Sequence, residues 1–296
     1  MRYYHYTSSS AFSSILQNAP IKDKEICFWA TRYDCFVDKI EYIHGIEKLR
    51  PVLEAFEKRS GLPRERQVSQ LFNPKEIEKS LGLPVPYVIS ISARKDNEYM
   101  WNNYADNGHG VVLELDFINP SGFYEASLYS IESCIYDSYA TFDEIYKIVN
   151  DQYYDMATRM VFGNPDLALL LLKDNPTVFV KFIAMYLLAF IAPRFKRDDF
   201  MNEEETRIII SSPKKEYNTL FNGITYPNQF QSLIDKVQNF VAAEKQRMDN
   251  GKSYREIFMP ISVLKRIWIK DASQKEKIEI ILSKKGYSHI PVETVD

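Results

Sequence analysis

Five short segments carry the residue types that do chemistry. Tyr4-His5-Tyr6-Thr7-Ser8 sets an imidazole between rings at the end of an alternating run. A histidine in that place is either a hydrogen-bonded structural residue or a ligand contact. Phe36-Val37-Asp38-Lys39-Ile40-Glu41 holds two carboxylates three apart near a helix start, where acids ordinarily cap the helix and complement its dipole. In Phe200–Ile210, Glu203, Glu205 and Arg207 share one face if the segment is an extended strand. Two carboxylates and a guanidinium on so apolar a strand are costly to bury without a purpose, whereas a solvated sheet edge would carry them harmlessly. Asn97–Tyr104 places Met100, Trp101 and Tyr104 on one side of a helical turn, as core or as a stacking platform for a nucleobase or nicotinamide ring. Glu114-Leu115-Asp116 puts two acids on one strand face, as metal nucleases do, but without the basic residue such sites place close behind.

Other chemistry is disfavoured. The four histidines, His5, His44, His109 and His289, form no pair at helical metal spacing and have no cysteine nearby, so no zinc site and no metal are expected. The chain has no Gly-rich phosphate loop and no G-x-S-x-G elbow. Cys27, Cys35 and Cys134 are odd in number and widely spaced, which points to a reduced, cytoplasmic protein. Residues 1–6 lack an apolar signal region. The longest apolar run, Thr177–Ala192, is broken by Lys181 and is shorter than the ~20 residues of a membrane span, so it reads as a buried helix. A net charge of -3 excludes purely electrostatic nucleic-acid binding over the whole surface, though not in a local basic groove. With 45% hydrophobic and 26% charged residues the chain is not disordered. Twenty tyrosines and eighteen phenylalanines predict grooves lined with rings as well as a large core.

These segments need a frame. Tyr3–Tyr6 alternates as a short strand, and Ser8–Ser10 can cap a helix whose apolar face is Phe12, Ile15 and Leu16. Ile26–Ala30, Tyr87–Ala93, Val111–Asp116 and Phe200–Ser211 read as strands. Residues 47–82 are charged and helical in period, and residues 140–192 read as three helices punctuated by Gly163-Asn164-Pro165 and Asn175-Pro176. Gln229–Asp249 reads as a helix. The tail predicts a strand at Arg266–Ile269, a helix at Gln274–Lys285 and a last strand at His289–Val292. Strands spread over the whole length predict an α+β class: one mixed-sheet domain over residues 1–296, with a helical insertion over residues 140–195.

Taken together, the segments resemble the bacterial domain family DUF2971. The family pattern is an opening like Y-H-Y-T-S, an F-N-D-P-x-E segment, M-W-x-x-Y-A before a glycine-bearing turn, and an aromatic-x-x-E-x-E-x-R strand. The matching residues are Tyr4–Ser8; Phe36, Asp38 and Glu41; Met100, Trp101, Tyr104, Ala105 and Gly110; and Phe200, Glu203, Glu205 and Arg207. Val37, Lys39 and Phe200 depart from the usual Asn, Pro and Trp. The tail, with Ile267-Trp268-Ile269 and the helix after it, also looks like the family's end.

The order of a histidine ending the first strand, an aromatic second strand and a late-strand glutamate is similar to the His-Tyr-Glu arrangement of ADP-ribosyltransferases. That resemblance implies a split sheet and NAD as substrate, with nicotinamide–ribose cleavage and transfer to a nucleic acid or protein acceptor, in a toxin or antiphage-defence effector. It implies Glu205 as the catalytic carboxylate and His5 as the ribose-binding residue. Tyr33 or Tyr104 would be the stacking ring, and Tyr6, Thr7, Asp38, Trp101, Glu203 and Arg207 would line the nucleotide site. Two alternatives stay open: a nucleotide-binding or sensing module without turnover, and a metal-dependent nuclease using Asp38, Glu114, Asp116 and Glu205.

Overall fold

The structure, a computed structural model, describes residues 2–17, 25–36, 38, 40–72, 86–117, 129–151, 187–210, 245–246 and 251–295. Its frame is a mixed sheet, mostly antiparallel, with helices packed against it, and the class is α+β. The strands are β1 (Arg2–Thr7), β2 (Glu25–Arg32), β3 (Tyr87–Ser92), β4 (Val111–Asp116), β5 (Tyr129–Ser133), β6 (Ile135–Tyr136), β7 (Phe195–Lys196), β8 (Glu205–Ile210), β9 (Lys245–Gln246), β10 (Ser253–Pro260), β11 (Leu264–Ile269) and β12 (Val292–Thr294). The helices are α1 (Ser9–Gln17), α2 (Glu41–Arg59), α3 (Glu98–Tyr104) and α4 (Lys275–Lys284), and residues 142–151 are also helical.

The order β12-β11-β4-β1-β3-β2-β10-β9 hides a branch at β3, which has three partners and only two edges. β8 occupies one edge along its whole length, from Tyr87↔Ile210 to Ser92↔Glu205. The other edge is shared. β1 pairs with it at Tyr4↔Ser92, and β2 at Thr31↔Val88 and Arg32↔Tyr87. Both run antiparallel to β3, so each would overrun the other if it kept its register. They part instead, and the sheet forks into two arms, β1-β4-β11-β12 and β2-β10-β9.

The main core draws on both arms. Ile26, Phe28 and Ala30 of β2 and Ile257 and Met259 of β10 share it with Val111, Leu113 and Leu115 of β4 and with Ile267 and Ile269 of β11. α1 adds Phe12, Ile15 and Leu16, and α4 adds Ile278 and Leu282. The strand period of two explains β8. Ile208 and Ile210 enter this core, while Ile209 joins Val88, Ala189 and Phe190 on the opposite face. Glu205 and Arg207 therefore share the face of Ile209, away from the main core.

Several boundaries differ from the sequence expectation. Residues 198–203 form a 3-10 turn, and Glu204 takes a left-handed backbone (φ 45°) before β8 begins. Glu203 is thus outside the strand. β8 is no solvated edge either, because it pairs on both sides and every residue in it is buried. β10 was not expected, and the last strand falls at Val292–Thr294 rather than His289–Val292. Of the expected helices, residues 152–186 and most of Gln229–Asp249 lie outside the described residues; Lys245–Gln246 within the latter is a strand paired to β10. Among the described residues no helix is long and apolar enough to cross a membrane.

Candidate functional site

Where β1 and β2 part, a cavity of about 650 Å³ opens. Its walls come from β1, α1, β2, β3, α3 and the 196–207 segment. The parting leaves Ser90, the one exposed residue of β3, without a strand partner on this side among the described residues. His5 meets that need with its side chain, its Nδ1 lying 2.8 Å from the Ser90 carbonyl. A carbonyl only accepts, so Nδ1 carries the proton and Nε2 is an acceptor, with no partner among the described residues. Burial pushes the imidazole pKa down, partly offset by the Ser90 contact, so the ring is held neutral. Phe28 of the other arm meets it edge to face at 5.2 Å.

On the opposite wall five ionisable side chains form one buried cluster: Glu41, Lys196, Glu203, Glu205 and Arg207. Lys196 Nζ donates to Oε2 of both Glu203 and Glu205, at 2.5 Å each. Arg207 donates to Glu205 Oε2 at 2.8 Å, to Glu41 Oε1 and to the Pro193 carbonyl. Tyr104 donates its hydroxyl to Glu203 Oε1 at 2.7 Å. The Cys134 thiol approaches Glu205 Oε2 at 3.6 Å, and the Tyr136 hydroxyl accepts from the Glu205 backbone N–H at 2.9 Å. Every described donor to the Glu205 side chain uses Oε2, which leaves Oε1 without one. Arg207 Nε is buried without an acceptor among the described residues.

The charges split the carboxyls. Burial alone would raise Glu205, but Arg207 and Lys196 outweigh it and hold the group well below the usual carboxylate range. Burial dominates at Glu41 and raises it despite Arg207 and Lys196. Lys196 is pushed up: burial opposes its charge, and Glu205, Glu41 and Glu203 overcome that. Burial also raises Tyr104, and Glu203 adds to the rise. Two rings cover the cations, Phe36 with Arg207 5.4 Å from its centroid and Phe200 with Lys196 at 5.1 Å.

The local causes are legible. Glu41 opens α2, and the helix is held close to its neighbour because Gly45 has no side chain: a Cβ there would lie 2.0 Å from the Ala192 carbonyl oxygen. That contact brings the 192–196 segment, and with it Lys196, under the helix start. The left-handed Glu204 reverses the chain so that Glu203 and Glu205 both reach Lys196.

Of the residues expected at the site, His5, Tyr6, Thr7, Asp38, Tyr104, Glu203, Glu205 and Arg207 line this one cavity. Asp38 pairs with Arg197 at 2.8 Å. Trp101 and Tyr33 are not on the wall. Trp101 is fully buried, its indole donating to the Lys95 carbonyl at 2.8 Å and its ring edge-on to Tyr6. The Tyr33 ring packs on Tyr42 at 4.4 Å. The acids proposed for a nuclease do not assemble. Glu114 accepts from the Trp268 indole at 2.8 Å and from Arg2 at 2.7 Å, away from the cavity. Among the described residues no group of His, Cys, Asp and Glu side chains is arranged to hold a metal ion. Two members of the cluster escaped the sequence reading. Lys196 sits in Arg194-Phe195-Lys196-Arg197, whose charges look like any surface stretch, and Glu41 read as a helix cap.

The profile of the family described as Protein of unknown function (DUF2971) matches residues 100–208. The matched stretch holds Trp101, Tyr104, Glu203, Glu205 and Arg207 but none of β1, β2 or β3. Over that stretch it agrees with the family resemblance read from the sequence. No curated protein matches the chain, and no solved structure does.

Proposed function

We propose that the fork cavity binds NAD and that the chain cleaves its nicotinamide–ribose bond, passing the ADP-ribosyl group to a protein or nucleic-acid acceptor, or to water. The observation that carries this reading is that His5 and Glu205, from strands 200 residues apart in sequence, line one cavity, each with an acceptor atom, Nε2 and Oε1, that no described donor uses. Both accept hydroxyl protons, as the 2′,3′-diol of a ribose requires. The volume lies within the range of small-molecule sites.

Breaking this bond develops oxocarbenium charge on the ribose, as in glycoside cleavage. A carboxylate already ionised and already fixed favours that charge in the transition state over the ground state. Glu205 meets both conditions. Lys196 and Arg207 keep it ionised, and their bonds to Oε2 fix its orientation. The half-exposed Tyr104 ring is the stacking candidate on the wall. Nicotinamide leaves as a neutral base, so no protonation of the leaving group is needed.

A second reading has its own observation. Two cations on Glu205 Oε2 diminish the field the carboxylate offers a substrate, which suits NAD sensing without turnover. One experiment separates the two: NAD is added to the purified protein in the absence of divalent metal, and the melting temperature and released nicotinamide are measured. Stabilisation with nicotinamide release supports cleavage, and stabilisation without release supports sensing. Neither effect at millimolar NAD would sink both.

A further inference from the structure

The five buried side chains on the cavity wall comprise three carboxylic acids and two permanent cations. Fully ionised, they carry one uncompensated negative charge in surroundings that water barely reaches, which is costly. The remedy is one bound proton. Geometry selects its seat. Glu205 accepts from both cations, and Glu203 accepts from Lys196 and from the Tyr104 hydroxyl. Glu41 touches Arg207 alone, with Lys196 as far as 4.0 Å. It is the least compensated acid of the three.

The other charged groups around Glu41 do not alter the count. Asp38, just before α2, is paired with Arg197, and Arg194 faces Glu132 at 3.4 Å. Asp34 pairs with Arg32, His44 of the same helix pairs with Asp137, and Lys252 on the wall has contacts of its own. Cys134 reaches Glu205 rather than Glu41.

We infer that this wall selects a cationic ring: a third positive charge entering the cavity takes the place of the proton on Glu41, which leaves to solvent as the cation binds. The site would thereby read the pyridinium charge that separates NAD from NADH. Phe36 and Phe200 also line the cavity, and aromatic ring faces attract a cation. The inference rests on the fork cavity being the nicotinamide site proposed above.

The test is isothermal titration of the full chain with 1-methylnicotinamide, whose ring is cationic, and with nicotinamide and NADH, whose rings are neutral; NAD is followed separately by melting temperature and released nicotinamide, because its cleavage itself yields a proton. Each titration is run in two buffers of different ionisation enthalpy, so that protons released are counted directly. The expected result is close to one proton released on binding of 1-methylnicotinamide and none on binding of nicotinamide or NADH. Cation affinity should rise by up to about tenfold per pH unit while Glu41 is protonated and level off above that range. Glu41→Gln should abolish the release; the proton count on the unaltered chain stands even if that variant folds poorly. Equal binding of cationic and neutral probes without proton release would overturn the inference and leave NAD cleavage standing. Proton-linked binding of 1-methylnicotinamide without binding or cleavage of NAD would keep the inference and sink the NAD reading. No binding by any probe would sink both.

Discussion

His5 and Ser90 are joined by a side-chain hydrogen bond of 2.8 Å at the point where β1 leaves β3. The imidazole takes the place that a neighbouring strand's backbone N–H would fill, and His5 is thereby held on the cavity wall. This contact ties a feature of the fold to a property of the site, and it has a measurable pH signature. Burial first, offset in part by Ser90, places the folded pKa of His5 below its ordinary 6.5. The folded state therefore binds the proton less readily than the unfolded chain. The stability this group contributes is complete above 6.5 and is lost as the pH falls from there toward the lowered folded value. His5→Gln keeps a donor for Ser90 and removes the titration. Its melting temperature should fall less than that of the unaltered protein over the same acid range. Equal slopes would show that His5 is not the group responsible.

Lys196 is the ammonium shared by Glu203 and Glu205, and it is buried. Lys196→Met should destabilise by about 3–5 kcal/mol, the usual result of stranding a buried partner's charge. Lys196→Arg should recover part of that loss. Urea midpoints of both variants give the comparison, and a Met variant as stable as the parent would mean that solvent reaches the cluster.

Glu205→Gln acts twice. It leaves Lys196 and Arg207 short of a counter-charge, so stability should fall, and it removes the charge that would face a developing oxocarbenium ion. Turnover per folded molecule should drop by about 10²–10³. Rates corrected by the folded fraction at the assay temperature separate the two effects. An unchanged corrected rate would reduce Glu205 to a structural partner of Arg207.

Gly45→Ala is a test of how the site is assembled. Alanine in the middle of an ordinary helix stabilises by roughly 1 kcal/mol over glycine. Here the added Cβ would lie 2.0 Å from the Ala192 carbonyl oxygen, so α2 must move away from the segment that carries Lys196. The expected outcome is a loss of about 1–3 kcal/mol from overpacking, with NAD binding weakened in parallel. A stabilised variant would show that the helix start is free to shift.

Strands rich in large apolar residues were legible in the sequence, as at Tyr3–Tyr6 and at Val111–Asp116, where every residue but the last is buried. β10 was not, since Arg255 and Glu256 break its apolar pattern while pairing with β2 supplies the order. The start of β8 was misplaced because nothing in a run of three glutamates shows which one adopts a left-handed backbone. At the site, residues with distinctive chemistry, such as His5, Glu205 and Arg207, could be singled out, and the structure brings them to one cavity. Lys196 could not, because its role comes from the packing of Gly45 on Ala192 and from no local spacing. Trp101 had the right composition for a ring platform, yet its indole faces inward, bonded to the Lys95 carbonyl.

The fork also sets when the cavity can exist during synthesis. β2 contacts β3 at two residues but β10 along seven, so this wall depends chiefly on residues 253–260. The pairing closes a loop of more than two hundred residues, a slow step for any fold. Until that closure β1, α3 and β8 can assemble, but the β2 wall has only its two-residue pairing with β3 and the packing of α1 to hold it. A nascent or prematurely terminated chain would carry His5 and Glu205 without a formed pocket between them. The cavity is thereby withheld until residues 253–260 have been made.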